Sequence, residues 1–228
     1  LNACGGDVRG AGTSTVVIRG GRTFHGGTYR VMPDRIAAAT YLCALASAGG
    51  TGFLRGAREE HLATVTAVLR EAGCHISAGP EGIACACRER LRAVRPVRTA
   101  PYPGFPTDAQ AVLMAALLRA RGATAFEENI FENRYRHVDE LARMGADIRV
   151  MGRVAVVTGV ETLHGAPVRC TDLRGGAALC VAALAAEGES CISETAHIAR
   201  GYEDIARDLG ALGADIRWGG ENNRSEQE

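Results

Sequence analysis

The sequence predicts an α/β (α+β) domain assembled from three similar units with pseudo-threefold symmetry. Two observations carry that expectation. An Asp that opens an apolar stretch recurs with a downstream Gly, as Asp34 to Gly73, Asp108 to Gly145 and Asp172 to Gly213, at intervals of 39, 37 and 41 residues. Within each interval, Ala- and Leu-rich segments alternate with short β-branched ones, and self-similarity at a fixed period marks a repeated supersecondary unit.

Each unit reads in the same order. The opening Asp suits a helix N-terminus, where a carboxylate accepts from first-turn amides. Helices are expected over Ile36 to Ala48, Ala109 to Ala120 and Gly176 to Ala186. Glycines at 49–50, 122 and 188 end them, and a short strand follows, clearest in Cys191-Ile192-Ser193. A second helix closes with Leu-x-x-x-Gly, at Leu69/Gly73, Leu141/Gly145 and Leu209/Gly213, since Gly is the usual residue just past a helix end. A strand comes next, and in the first two units a second strand, as in Ile148 to Met151 and Val154 to Val157. The units span about 34–103, 104–168 and 169–220. Residues 1–33, Gly-rich around one expected strand from Thr15 to Arg19, read as the end of a preceding domain and a crossover. Residues 221–228 read as a polar, disordered tail.

Composition narrows the function. The 26 basic residues balance 26 acidic ones, and every basic residue is Arg. Chemistry that needs a Lys from within these residues is excluded, whereas bidentate Arg recognition of carboxylate or phosphate is open. Arg88, Arg90, Arg92, Arg95 and Arg98 crowd one stretch, but Glu89 interrupts them and no aromatic interleaves, so nucleic-acid binding is not expected. No apolar run approaches the ~18 residues of a membrane helix. The chain starts at Leu1, without Met and without a secretory pattern, so a longer protein is expected. The eight Cys form no CxxC, and Cys74-His75 fits no zinc template. Cys85 and Cys87 are expected on opposite strand faces, sharing no metal. The cysteines read as small buried hydrophobes in a reducing cytoplasm.

Candidate chemistry sits where the units differ. The second carries Gly104-Phe105-Pro106-Thr107-Asp108 and Ile130-Phe131-Glu132-Asn133-Arg134; the third carries Thr171-Asp172-Leu173-Arg174 and Arg200-Gly201-Tyr202-Glu203. Equivalent placement would bring these groups to one edge, suited to an anionic substrate with a hydroxyl to deprotonate. From spacing alone a plainer reading stays open, in which the Asp residues are caps and the Arg residues pair with them.

These segments, with Leu1-Asn2-Ala3-Cys4-Gly5 and Tyr29-Arg30-Val31-Met32-Pro33-Asp34-Arg35, resemble the signatures of the UDP-N-acetylglucosamine 1-carboxyvinyltransferase family of enolpyruvyl transferases, in its C-terminal half. The resemblance runs from Leu1 to about Trp218. It implies an inside-out α/β barrel of three similar strand-helix-strand-helix-strand units, facing a second such domain across the active-site cleft. It implies transfer of enolpyruvyl from phosphoenolpyruvate to the 3-hydroxyl of UDP-N-acetylglucosamine, the first committed step of cytoplasmic peptidoglycan synthesis. Asp108 matches the proposed general base, and Ile130 a position contacting the UDP-sugar through its backbone. Arg134, Arg174 and Arg200 match arginines on the phosphoenolpyruvate side, and Asp172 a further active-site acid. No metal and no organic cofactor are implied. The family's phosphate-binding Lys-Asn pair and catalytic loop fall before Leu1, so this chain is expected to need an N-terminal half. Ala199 stands where the family usually has Asp, and Gly175-Gly176 replaces Ala-Ser or Ala-Gly. Alternatives are a non-catalytic domain binding a nucleotide sugar or a partner, and a relative acting on shikimate 3-phosphate.

Overall fold

A computed structural model describes residues 1–219; the expectation for the polar tail lies outside the described residues. By internal packing the chain divides into residues 1–33 and a larger unit beginning at Asp34. In the first, a short 3-10 turn at Asn2–Cys4 precedes β1 (Asp7–Arg9), which pairs antiparallel with β2 (Val17–Arg19). Two strands form where the sequence suggested one, because Gly10 and Gly12 take positive φ and fold the segment between them back.

In the larger unit α1 (Arg35–Ala48) starts on Asp34, whose Oδ1 accepts from the amides of Ile36 at 2.7 Å and Ala37 at 3.1 Å. It stops at Gly49, whose φ of 77° allows the left-handed turn. β3 (Thr51–Arg55), α2 (Ala63–Ala72), β4 (His75–Gly79) and β5 (Gly82–Ala86) follow, the strands ordered β3-β5-β4 and all antiparallel. The next stretch contains β6 (Val97–Arg98), α3 (Thr107–Ala116), β7 (Ala123–Glu127), α4 (Val138–Arg143), β8 (Asp147–Met151) and β9 (Val154–Thr158). Their sheet is ordered β6-β7-β9-β8, and β6 is its parallel member. The last stretch holds β10 (Leu163–His164), β11 (Pro167–Arg169), α5 (Leu173–Ala183), β12 (Ala186–Glu187), β13 (Cys191–Ser193) and α6 (Ile205–Ala211). Here β10 runs parallel to β12, and β11 to β13.

The core follows from the repeat-opening helices. Ala109 to Ala116 of α3 and Gly175 to Ala182 of α5 are buried without a break, as expected of helices apolar on every side. α1, α3 and α5 pack on one another, and the flanking sheets lie against them. Small Ala side chains allow that close approach, and Leu42, Leu113 and Leu179 fill what remains.

Three local expectations are corrected. α3 ends at Ala116 and α5 at Ala183, and the residues after α5 turn to form β12. The strand expected after Gly213 is absent: residues 214–219 hold no ladder, although Ala214 and Ile216 pack on the core. In the first two units a hairpin partner supplies that strand's hydrogen bonds, and none is described here. Cys85 and Cys87 share a face, because residues two apart in a strand do; both are buried, and the Cys74 thiol touches both.

Candidate functional site

The three aspartates that open the repeats behave differently. Asp34 and Asp172 are helix caps; Asp172 Oδ1 accepts from the amides of Arg174 at 2.9 Å and Gly175 at 2.8 Å. Asp108 lies inside the first turn of α3, which has Pro106 at its cap position and no side-chain cap. Its carboxylate is instead claimed from a distance. Arg134, in the loop between β7 and α4, places Nη2 at 2.7 Å from Asp108 Oδ1, and Arg174, on the first turn of α5, places Nε at 3.3 Å from the same oxygen. The plainer reading therefore splits: Asp34 and Asp172 cap helices, whereas Asp108 caps none and is paired with two arginines.

The Asp108 side chain is 41% exposed, against 21% for Arg134 and 18% for Arg174. The two arginine side chains are mostly packed while the Asp108 side chain is part exposed, so an incoming molecule can reach the carboxylate. Arg134 is further held by the Phe131 ring, with its guanidinium carbon 5.2 Å from the ring centroid. Its Nε is buried with no partner among the described residues. Beside it lies an open cavity of about 550 Å³ lined in part by Glu128, Phe131, Asn133, Arg134 and Arg153. Asn133 takes a φ of 53°, which re-aims the loop just before Arg134.

The remaining predicted residues lie around this cluster without joining it. Ile130 is partly exposed in the loop that follows β7. Arg200 ends the short 3-10 helix Thr195–Arg200 and is exposed. The next residue, Gly201, sits against Leu173, which fixes Arg200 near the N-terminus of α5, yet it forms no ion pair among the described residues. Ala199 is exposed beside it.

Several groups around the site were not singled out from the sequence. His137 is fully buried, and both ring nitrogens lack partners among the described residues. Burial lowers its pKa to about 4; the negative charge of Asp172 and the Arg134 backbone oppose the shift, and the Arg134 charge adds to it. The ring is neutral at pH 7. Tyr202 donates to or accepts from Thr40 at 2.7 Å, and burial raises its pKa, against the lowering effect of Thr40 and Arg174. Burial, aided by Asp172, pushes the Cys170 thiol up to about 11. Gln110 is buried, with both amide atoms lacking a partner among the described residues. Glu128, at the end of β7, is a buried carboxylate with four donors. A buried His or Glu next to a loop has no periodic signature, and only the tertiary contacts reveal these.

The glycines at 175 and 176 have a local cause. A Cβ on Gly175 would lie 2.9 Å from the His137 Cβ, and one on Gly176 would lie 2.2 Å from Cys170 Sγ and 2.7 Å from an Ile198 carbon. The departure from Ala-Ser or Ala-Gly therefore fits this particular packing. Among the described residues, no group of three His, Cys, Asp or Glu is placed to hold a metal ion. Nor, among the described residues, is any helix long and apolar enough to cross a membrane.

The family described as EPSP synthase (3-phosphoshikimate 1-carboxyvinyltransferase) matches residues 1–209. The UDP-N-acetylglucosamine 1-carboxyvinyltransferase of Zymomonas mobilis is 51% identical over 95% of this chain and 50% of its own length. That of Novosphingobium aromaticivorans is 50% identical over 97% of this chain and 52% of its own. The enolpyruvyl transferase NikO from Streptomyces tendae superposes with a TM-score of 0.82 at 30% identity, covering 95% of this chain and 52% of NikO. An EPSP synthase from Acinetobacter baumannii shares the fold, with a TM-score of 0.62 at 19% identity over 85% of this chain and 46% of that one. The chain spans about half the length of the curated relatives it matches.

Proposed function

The chain belongs to the EPSP synthase (3-phosphoshikimate 1-carboxyvinyltransferase) family, and from that premise we propose that it supplies one half of a transferase moving enolpyruvyl from phosphoenolpyruvate to the 3-hydroxyl of UDP-N-acetylglucosamine, with release of phosphate. In this reading the domain is an inside-out barrel, helices within and sheets without, whose three units are related by pseudo-threefold symmetry. The packing of α1, α3 and α5 on one another supports it. The step belongs to cytoplasmic peptidoglycan synthesis, the first committed one. Identity of 46–51% to proteins named for that activity supports this branch of the family over the shikimate branch.

The carrying observation is that Asp108 caps no helix and instead shares Oδ1 with Arg134 and Arg174. A carboxylate facing outward between two cations can take the proton of a sugar hydroxyl, while the guanidinium groups turn to an anionic enol phosphate. Arg200 adds a third cation at the same end of α5. Ile130 presents backbone to the sugar, and Asp172 fixes the helix turn that carries Arg174. The chain contains no Lys, and it spans half of its relatives, so the remaining groups come from the rest of the protein. Closure of the two halves would exclude water and strengthen each charge interaction.

Asp108→Ala in the full-length protein tests this directly. Phosphate release is expected to fall by a factor of about 100 or more, with UDP-N-acetylglucosamine binding, measured by calorimetry, changed far less. Unchanged turnover would return Asp108 to a structural role. The 228-residue chain alone is expected to release no phosphate from the two substrates; appreciable turnover would refute the need for another half.

A further inference from the structure

We infer that Glu128 is a positioning residue that couples the carboxylate on α3 to the sugar-facing loop after β7, an inference that rests on the function proposed above. Glu128 is 1% exposed. Its Oε1 accepts from Thr99 Oγ1 at 2.9 Å, the Ile130 amide at 2.9 Å and the Phe131 amide at 3.0 Å. Its Oε2 accepts from Thr107 Oγ1 at 2.9 Å. All four partners can donate, so an acceptor-only carboxylate is fully satisfied without a counter-cation.

The partners are what give this arrangement a role. Ile130 is the residue to which the proposed function gives the sugar contact, and the ring of its neighbour Phe131 lies against the Arg134 guanidinium. Thr107 immediately precedes Asp108 and opens α3, a helix with no side-chain cap of its own. Thr99 follows β6, and its hydroxyl accepts from the Asn129 amide at 2.8 Å while donating to Glu128. One side chain therefore pins the loop backbone with one oxygen and the base-bearing helix with the other. Displacing it would let the distance between Ile130 and Asp108 vary, and a sugar held by one and deprotonated at the other requires that distance fixed.

Charge is not the essential property; reach and acceptor placement are. In Glu128→Gln the amide oxygen can keep Thr99 and the two loop amides, and the amide nitrogen can donate to Thr107 Oγ1. Glu128→Asp, one methylene shorter, cannot reach both sides, and Glu128→Ala reaches neither.

The test is steady-state kinetics of the full-length protein with phosphoenolpyruvate and UDP-N-acetylglucosamine varied separately. Glu128→Ala and Glu128→Asp are each expected to raise the KM for the UDP-sugar about tenfold or more and to lower kcat, with the KM for phosphoenolpyruvate within about threefold of the parent. Glu128→Gln is expected to stay within about threefold in every parameter. If Glu128→Ala does not fold, Glu128→Asp and Glu128→Gln decide. Equal UDP-sugar KM values in the Asp variant and the parent would overturn the inference, as would a loss shared equally by kcat in all three variants with no KM change. A parent that consumes neither substrate would instead overturn the proposed function, and this inference with it.

Discussion

Replacing His137 with Leu should remove an acid-sensitive element from the fold. The ring is fully buried with no hydrogen-bond partner among the described residues, and its pKa falls from 6.5 to about 4. Unfolded chain binds the proton below about pH 6.5, while folded chain resists it until about pH 4. The unfolded state thus holds more protons in that window, so the stability attached to neutral His137 is complete above pH 6.5 and declines as the pH drops towards 4. At 1.36 kcal/mol per pH unit, the limiting loss is about 3 kcal/mol, most of it reached by pH 4.5. Urea unfolding followed by far-UV circular dichroism at pH 7.5, 6.0, 5.0 and 4.5 measures it. Carboxylates such as Asp204 and Glu71 titrate in both proteins, so the parent-minus-variant difference isolates the histidine. The parent should lose about 2 to 3 kcal/mol more than His137→Leu across that range. Parallel pH dependence in the two proteins would refute a neutral, buried His137.

Gly176→Ala should cost about 1 to 3 kcal/mol by overpacking, because the new methyl would overlap Cys170 Sγ and Ile198; an unshifted urea midpoint would contradict that packing. Asp172→Ala should lose about 0.5 to 2 kcal/mol of helix capping. Asp108→Ala should cost under about 1 kcal/mol, since a part-exposed ion pair contributes little to stability, and thermal unfolding of the two variants separates cap from pair. Under native conditions Cys191, which is exposed, should react first with a thiol reagent, followed by the partly exposed Cys4. Cys43 and Cys180, whose pKa values burial raises, should react only after denaturation; early labelling of either would place it nearer the surface than the core packing does.

The helix openings at Asp34 and Asp172 and the glycine stops at 49 and 73 were legible in the sequence, because capping and left-handed turns depend on a few adjacent residues. Family membership was legible for the same reason: short ordered segments such as Phe131-Glu132-Asn133-Arg134 carry it. The role of Asp108 was not fixed locally. A carboxylate at a helix start can cap or pair, and the outcome here depends on guanidinium groups 26 and 66 residues away, at Arg134 and Arg174. Likewise β6, β10 and β11 are too short to announce themselves, and they exist only because a neighbouring strand offers a ladder.

Periodicity states which side of an element faces the core; it does not state which elements meet there. The sequence by itself therefore determined the main helices and where they start, the all-Arg cationic chemistry and the family. Only the tertiary structure decided that Cys74, Cys85 and Cys87 converge, that His137 is buried, and that Glu128 joins the α3 N-terminus to the Ile130 loop. Each of those depends on a distance across the fold, and close packing fixes such distances to fractions of an ångström where no local rule reaches.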